Sequence, residues 1–133
     1  MNKLTGTITQ IQKSGAILLV DIDVEGHGFT ALLIESTPRH EWLQTREMID
    51  LVFKETEVSL AKGLSGGISL RNRMICKVMN VERGTLLSTV KLQFQKYIIV
   101  SAITTRSLDS LQINPGDEIE ALVKSNEVSL MQK

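Results

Sequence analysis

Two short stretches of this 133-residue chain carry groups suited to holding an anion: Ser69-Leu70-Arg71-Asn72 and Lys124-Ser125-Asn126. A tetrahedral oxyanion needs short donors converging from several directions, with one or two cations to offset its charge. Arg71 and Lys124 supply the cations, Ser69 and Ser125 the hydroxyls, and the Leu70 backbone an N–H. Bond-making chemistry has no comparable support. The sequence lacks a G-x-x-x-x-G-K-[ST] phosphate loop, a G-x-G-x-x-G turn, an H-E-x-x-H helix and a G-x-S-x-G elbow, so the expectation is binding without catalytic residues. His27 and His40 have no cysteine or second histidine near them, which leaves zinc short of ligands; both read as solvated surface, and no directly coordinated metal is expected.

The elements that position these groups are strands. Val20, Ile22 and Val24 alternate with Asp21, Asp23 and Glu25, a period of two that buries one face. Gly26-His27-Gly28 reads as a tight hairpin leading into a strand over residues 29–34, followed by strands at about 48–53 and 58–61. Between them, Thr37 to Leu43 reads as one short helical turn, with Thr37 capping its free N–H groups and Pro38 at its start. Five strands and a helical turn in so few residues imply a small OB-like β-barrel and not a sandwich. The chain is 42% hydrophobic, enough for a core, and its 15 basic and 15 acidic residues cancel. With no basic excess and few aromatic platforms, nucleic-acid binding is the least favoured reading of such a barrel. A lone cysteine, Cys76, reads as a small buried hydrophobe suited to a reducing cytoplasm, and no apolar run is long enough for a membrane span or a signal peptide.

Shifting the chain by 70 positions lays it on itself. Ile49, Lys54, Glu57, Val58, Ser59 and Leu60 meet identical residues at Ile119, Lys124, Glu127, Val128, Ser129 and Leu130, and Leu43 meets Ile113. Gly63-Leu64-Ser65-Gly66-Gly67 reads as the connection, so residues 1–66 and 67–133 form two tandem OB-like barrels in an all-β chain. A barrel of this size is marginal alone, so packing against its twin or other chains is expected.

The order of fragments in the second half resembles the Mop family, the molybdate-binding branch of the TOBE domains. Ser69-Leu70-Arg71-Asn72-Arg73-Met74 is similar to the family's S-A-R-N-x-L, and Val78, Val81 and Gly84 to V-x-x-I-x-x-G. Ile103-Thr104-Thr105-Arg106-Ser107-Leu108 is similar to I-T-x-x-S-V, and residues 115–119 with 121–125 to V-G-D-E-V followed by A-L-I-K-A/S. The first half carries the pattern more loosely.

The resemblance implies a protein that binds molybdate or tungstate as an intact oxyanion at contacts between barrels. Ser69, the Leu70 amide, Arg71, Thr104, Ser107, Lys124 and Ser125 would be the contacts, with Asn72 either among them or ordering the loop. The hydroxyls of Thr104 and Ser107 are equally suited to capping a helical turn. In the first repeat the Ser and Arg equivalents are missing, Ile34 replaces Thr104 and Glu55 replaces Ser125, which leaves Thr37, Lys54 and Thr56 for a weaker second site. The family further implies a cytoplasmic homo-oligomer, a trimer by similarity, that stores, buffers or delivers molybdenum. The alternative is a molybdate-sensing subunit acting on a transporter or transcription factor, with the molybdate transporter or the molybdenum cofactor machinery as possible partners.

Overall fold

The structure, a computed structural model, describes residues 1–35 and 38–133. The first repeat contributes β1 (Asn2–Ser14), β2 (Ile17–Val24), β3 (His27–Ile34), β4 (Met48–Phe53), a 3₁₀ turn (Glu55–Glu57) and β5 (Ser59–Ala61). The second contributes β6 (Asn72–Glu82), β7 (Leu87–Phe94), β8 (Tyr97–Thr104), helix α1 (Thr105–Leu111), β9 (Glu118–Val123), a second 3₁₀ turn (Ser125–Glu127) and β10 (Ser129–Gln132). All strand pairings are antiparallel.

The strands form two five-stranded sheets, ordered β10-β4-β1-β2-β3 and β5-β9-β6-β7-β8. Each sheet therefore takes its last strand from the other repeat: β10 pairs with β4, and β5 with β9. Each sheet curls until its far edges approach, β3 toward β10 and β8 toward β5, which gives the expected OB-like barrels. The curl originates in the long first strand. β1 pairs with β4 through residues 2–7 and with β2 through 7–14, and a register shift between Ile8 and Gln10 bends it between the two partners. The shift recurs 70 residues on, between Val78 and Asn80 in β6.

Alternation builds the interior. Leu4 and Ile8, Val20 and Ile22, and Ile49 and Leu51 point inward from the first sheet; Met74, Val90, Leu92 and Ile119 do so from the second. Both sets belong to one continuous cluster, so the exchanged strands join two barrels over a shared core. Cys76 lies within it, 2% exposed, and burial pushes its thiol up to about 12. Gly84, from the V-x-x-I-x-x-G pattern, sits where a Cβ would run into the Leu87 carbonyl.

Two local expectations change. The β2–β3 hairpin turns one residue early, at Glu25-Gly26, because Val24 pairs with His27; both turn residues take positive φ (53° and 85°). The helical turn expected over Thr37 to Leu43 is absent from residues 38–43, which form bends and turns; Thr37 itself lies outside the described residues. The twin segment does fold into α1, in which Leu108 occupies the position of Pro38. Proline there lacks the N–H and crowds the preceding turn, so the first repeat cannot continue the helix its twin makes. Trp42 is half-buried against the core, with His40 stacked on it at 5.1 Å.

Candidate functional site

The ladder between β6 and β9 pairs Asn72 with Val123. Arg71 precedes the one and Lys124 follows the other, so antiparallel pairing brings both cations to the same end of the second barrel. Ser69 and Leu70 lead into β6, and Ser125 opens the 3₁₀ turn after β9, so they sit at that end too. Ser69, Arg71 and Lys124 are exposed, while Leu70 and Ser125 are half-buried. Neither Arg71 nor Lys124 makes an ion pair in the described structure.

This end of the second barrel packs against the first. The turn Ser125–Glu127 lies on β3, and Arg71 lines a hollow of about 280 Å³ with Thr9, Asp21, Asp23 and Thr30 from β1, β2 and β3. Asp21 is bound internally, since its carboxylate accepts from the Thr30 hydroxyl at 3.0 Å.

Asn72 has a different task from its neighbours. Its side chain is 1% exposed; Oδ1 accepts from Thr30 N–H at 2.7 Å, and Nδ2 donates to the Thr30 carbonyl at 2.9 Å. That pair of bonds imitates one more rung of a sheet along the edge of β3. Asn2, its twin, does the same to Val100 on β8, accepting at 2.8 Å and donating at 2.8 Å. Of the two roles open to Asn72 in the sequence, the one that orders structure accounts for both ends of its amide.

Thr104 and Ser107 line a separate cavity. Thr104 caps α1: its Oγ1 accepts from Ser107 N–H at 3.1 Å and donates to Ser107 Oγ at 2.8 Å. The cavity, of about 490 Å³, lies where the turn Glu55–Glu57 and β5 of the first repeat meet β8 and α1 of the second. Thr56, Ser59, Thr104, Ser107 and Ser110 give it five hydroxyls over an apolar floor that includes Val58 and Ile103. The residues expected to act together thus fall into two groups within one chain, a cationic end at Arg71 and Lys124 and a hydroxyl-lined cavity at Thr104 and Ser107.

In the first repeat, the ladder pairs Asn2 with Phe53, so Met1 and Lys54 occupy the end that corresponds to Arg71 and Lys124. The Met1 ammonium lies 3.9 Å from Glu55. Lys54 is exposed, and its backbone N–H donates to the Glu57 carboxylate at 2.9 Å. Thr56 belongs to the hydroxyl-lined cavity, and Thr37 lies outside the described residues. Sequence reasoning passed over Ser59 and Ser110, and also the carboxylates beside Arg71. Asp21 and Asp23 stood out only as the polar face of a strand, and nothing local in the sequence sets them next to residue 71. Among the described residues, no three His, Cys, Asp or Glu gather as a metal site, and no helix is long and apolar enough to cross a membrane.

The chain is thus a small double barrel with hydroxyl donors and cations at the contacts between its repeats. The TOBE domain profile matches residues 68–130. The molybdenum-pterin-binding protein MopB of Rhodobacter capsulatus is 37% identical over 70 residues, which cover 52% of this chain and 26% of MopB. The chain spans about a quarter of the length of the curated relatives it matches. A molybdate-binding protein from Sporomusa ovata is 31% identical and covered in full by 50% of this chain, with a TM-score of 0.50. The cytoplasmic molybdate-binding protein ModG, in a crystal form with molybdate bound, overlays 99% of this chain and 96% of its own at a TM-score of 0.92 and 24% identity. The chain belongs to the Mop/TOBE family.

Proposed function

We propose that this chain binds molybdate, and tungstate by the same geometry, as an intact tetrahedral dianion and without catalysing a reaction. The observation that carries the reading is the meeting of Arg71 and Lys124 at one end of the β6–β9 ladder, with the Ser69 and Ser125 hydroxyls and the Leu70 amide beside them. Two unpaired cations match the charge of the dianion, and the neutral donors can satisfy its oxygens without chelating the central atom. Sulfate carries the same charge and shape, so discrimination rests on the size of the cage and the number of donors that reach the larger ion. Thr104 and Ser107 serve the hydroxyl-lined cavity, and Lys54, Thr56 and Thr37 a weaker site in the first repeat.

In this reading the protein is a cytoplasmic homotrimer of two-repeat chains, divided near residue 66, that stores or hands on molybdenum. Its relatives' association with molybdenum and the match to ModG support the ligand class. Calorimetry with molybdate, tungstate, sulfate and phosphate tests it. Heat is expected with the two metal oxyanions, and Arg71→Ala should weaken binding far more than Lys54→Ala. Absence of heat with both metal oxyanions would overturn the reading, and equal effects of the two substitutions would overturn the assignment to the second repeat.

A further inference from the structure

Resting on that reading, we propose that Glu55 is a built-in counter-anion that weakens the first repeat's copy of the oxyanion site, so that its removal strengthens that site in each chain.

The argument begins with backbone equivalence. Lys54 and Lys124 precede the two 3₁₀ turns with matching dihedral angles, φ −75° and ψ 152° against φ −68° and ψ 143°. The first turn packs on β8 as the second packs on β3, and Asn2 and Asn72 fasten the paired strands in the same way. The scaffold of the site is therefore present twice. The side chains differ: Met1 stands where Arg71 does, Ile34 where Thr104 does, and the residue after the lysine is Ser125, a neutral donor, in the second repeat and Glu55, a carboxylate, in the first.

The carboxylate of Glu55 has the Met1 ammonium 3.9 Å away. Glu55 lines a hollow of about 330 Å³ with Asn80, Glu82, Thr89 and Lys91 of the second repeat. Lys91 is the twin of Asp21, which lines the hollow beside Arg71. The two hollows place their charges on different elements, although each is lined by two carboxylates and one cation. In one, the loop carries the cation Arg71 and the strands the carboxylates Asp21 and Asp23; in the other, the turn carries the carboxylate Glu55 and the strands the cation Lys91 and the carboxylate Glu82. A dianion approaching Lys54 meets the carboxylate of the next residue, a like charge that disfavours it. With Glu55 neutral, the Met1 ammonium and Lys91 lose that counter-charge while Asn80 and Thr89 remain as donors. Glu82 stays on the hollow, so the strengthened site should still be weaker than the one at Arg71.

Titration of the full chain with sodium molybdate, followed by calorimetry, tests this with Glu55→Ser, Glu55→Gln and the reverse exchange Ser125→Glu. Glu55→Ser should tighten the weaker class of sites by about tenfold or more. Glu55→Gln, close in shape to the native side chain, should give the same gain in smaller measure and guards against a folding defect. Adding Lys91→Ala to Glu55→Ser should remove the gain, and Ser125→Glu should abolish the site the wild type has. If the wild type binds and both Glu55 variants, folded by circular dichroism, give the wild-type isotherm, this inference is overturned and the functional reading stands. If no variant and no wild type takes up molybdate, both are overturned.

Discussion

Replacing Asn72 by alanine separates a structural clamp from a ligand contact, and the structure sets the size of the effect. The change removes two hydrogen bonds, from Thr30 N–H at 2.7 Å and to the Thr30 carbonyl at 2.9 Å. Net loss of two such bonds is worth roughly 1–3 kcal/mol, and the half-buried Thr30 groups left without partners raise the cost to about 2–4 kcal/mol. For a chain of 133 residues the entropy of unfolding makes each kcal/mol worth roughly 3–4 °C, so Tm should fall by about 7–14 °C. Asn72→Asp should fall at least as far, because a carboxylate still accepts from Thr30 N–H but sets a negative charge against the Thr30 carbonyl. Asn2→Ala should match Asn72→Ala, since Asn2 holds Val100 with the same two bonds. The assay is a thermal melt in ligand-free buffer, where a residue acting only on the oxyanion would leave no trace. An Asn72→Ala melt within about 1 °C of wild type would refute the clamp and return Asn72 to the set of ligand contacts.

Arg46 holds a left-handed backbone (φ 75°) at the place where its twin is Gly116 (φ 91°), and both donate their N–H to the strand behind at 2.8 Å, to Ile8 and Val78. Arg46→Gly should relieve that conformation and stabilise the protein by up to about 1 kcal/mol, read as a rise in denaturation midpoint; a fall would show that the arginine side chain outweighs the strain. Cys76 should resist a thiol reagent at about pH 8 until denaturant is added, and rapid labelling of the native protein would contradict its burial. Four carboxylates are held below their ordinary range: Asp117 chiefly by the Asn114 N–H and then Lys62, Glu120 by Arg73, Asp109 by Arg83, and Glu35 by Lys13 and Arg39. Because the folded form holds these protons more weakly than the unfolded chain, their stabilisation is present at neutral pH. It is lost as the pH falls below about 5 and on through the lowered folded values, so melts should decline over that range while staying level above it. A Tm independent of pH between about 3 and 6 would exclude the contribution, and Asp117→Asn should flatten part of the decline.

The barrels were legible because a strand with one buried face writes its period directly into the residue types, and because the repeat wrote it twice. The exchange of last strands was not legible, and the reason lies in the same repeat. Glu57-Val58-Ser59-Leu60 is identical to Glu127-Val128-Ser129-Leu130, so the opening residues of β5 and β10 do not tell the two strands apart. The choice is made by geometry: each 3₁₀ turn directs the chain across to the neighbouring barrel. Part of the site was hidden for a related cause. The partners of Asn72 are the main-chain groups of Thr30, 42 residues away, and a main-chain partner leaves no mark in residue identity. Pro38 was legible as a residue and misread in position, because its effect depends on falling inside the helical frame that Thr104 caps in the twin.

Duplication followed by strand exchange has a consequence for function. Once each sheet depends on the other repeat for an edge strand, neither half can drift in backbone without disturbing its twin, so the surviving freedom to differ lies in side chains at the contacts between them. The repeats differ at most aligned positions, and three of the differences fall at those contacts: Ser125 against Glu55, Asp21 against Lys91, Thr104 against Ile34. Each swap changes charge or hydrogen-bonding capacity on a shared backbone frame, and Glu55 and Lys91 line the same hollow. Under the proposed function, two copies of one scaffold have in this way diverged into an end with Arg71 and Lys124 for the dianion and an end where Glu55 lies beside the Met1 ammonium.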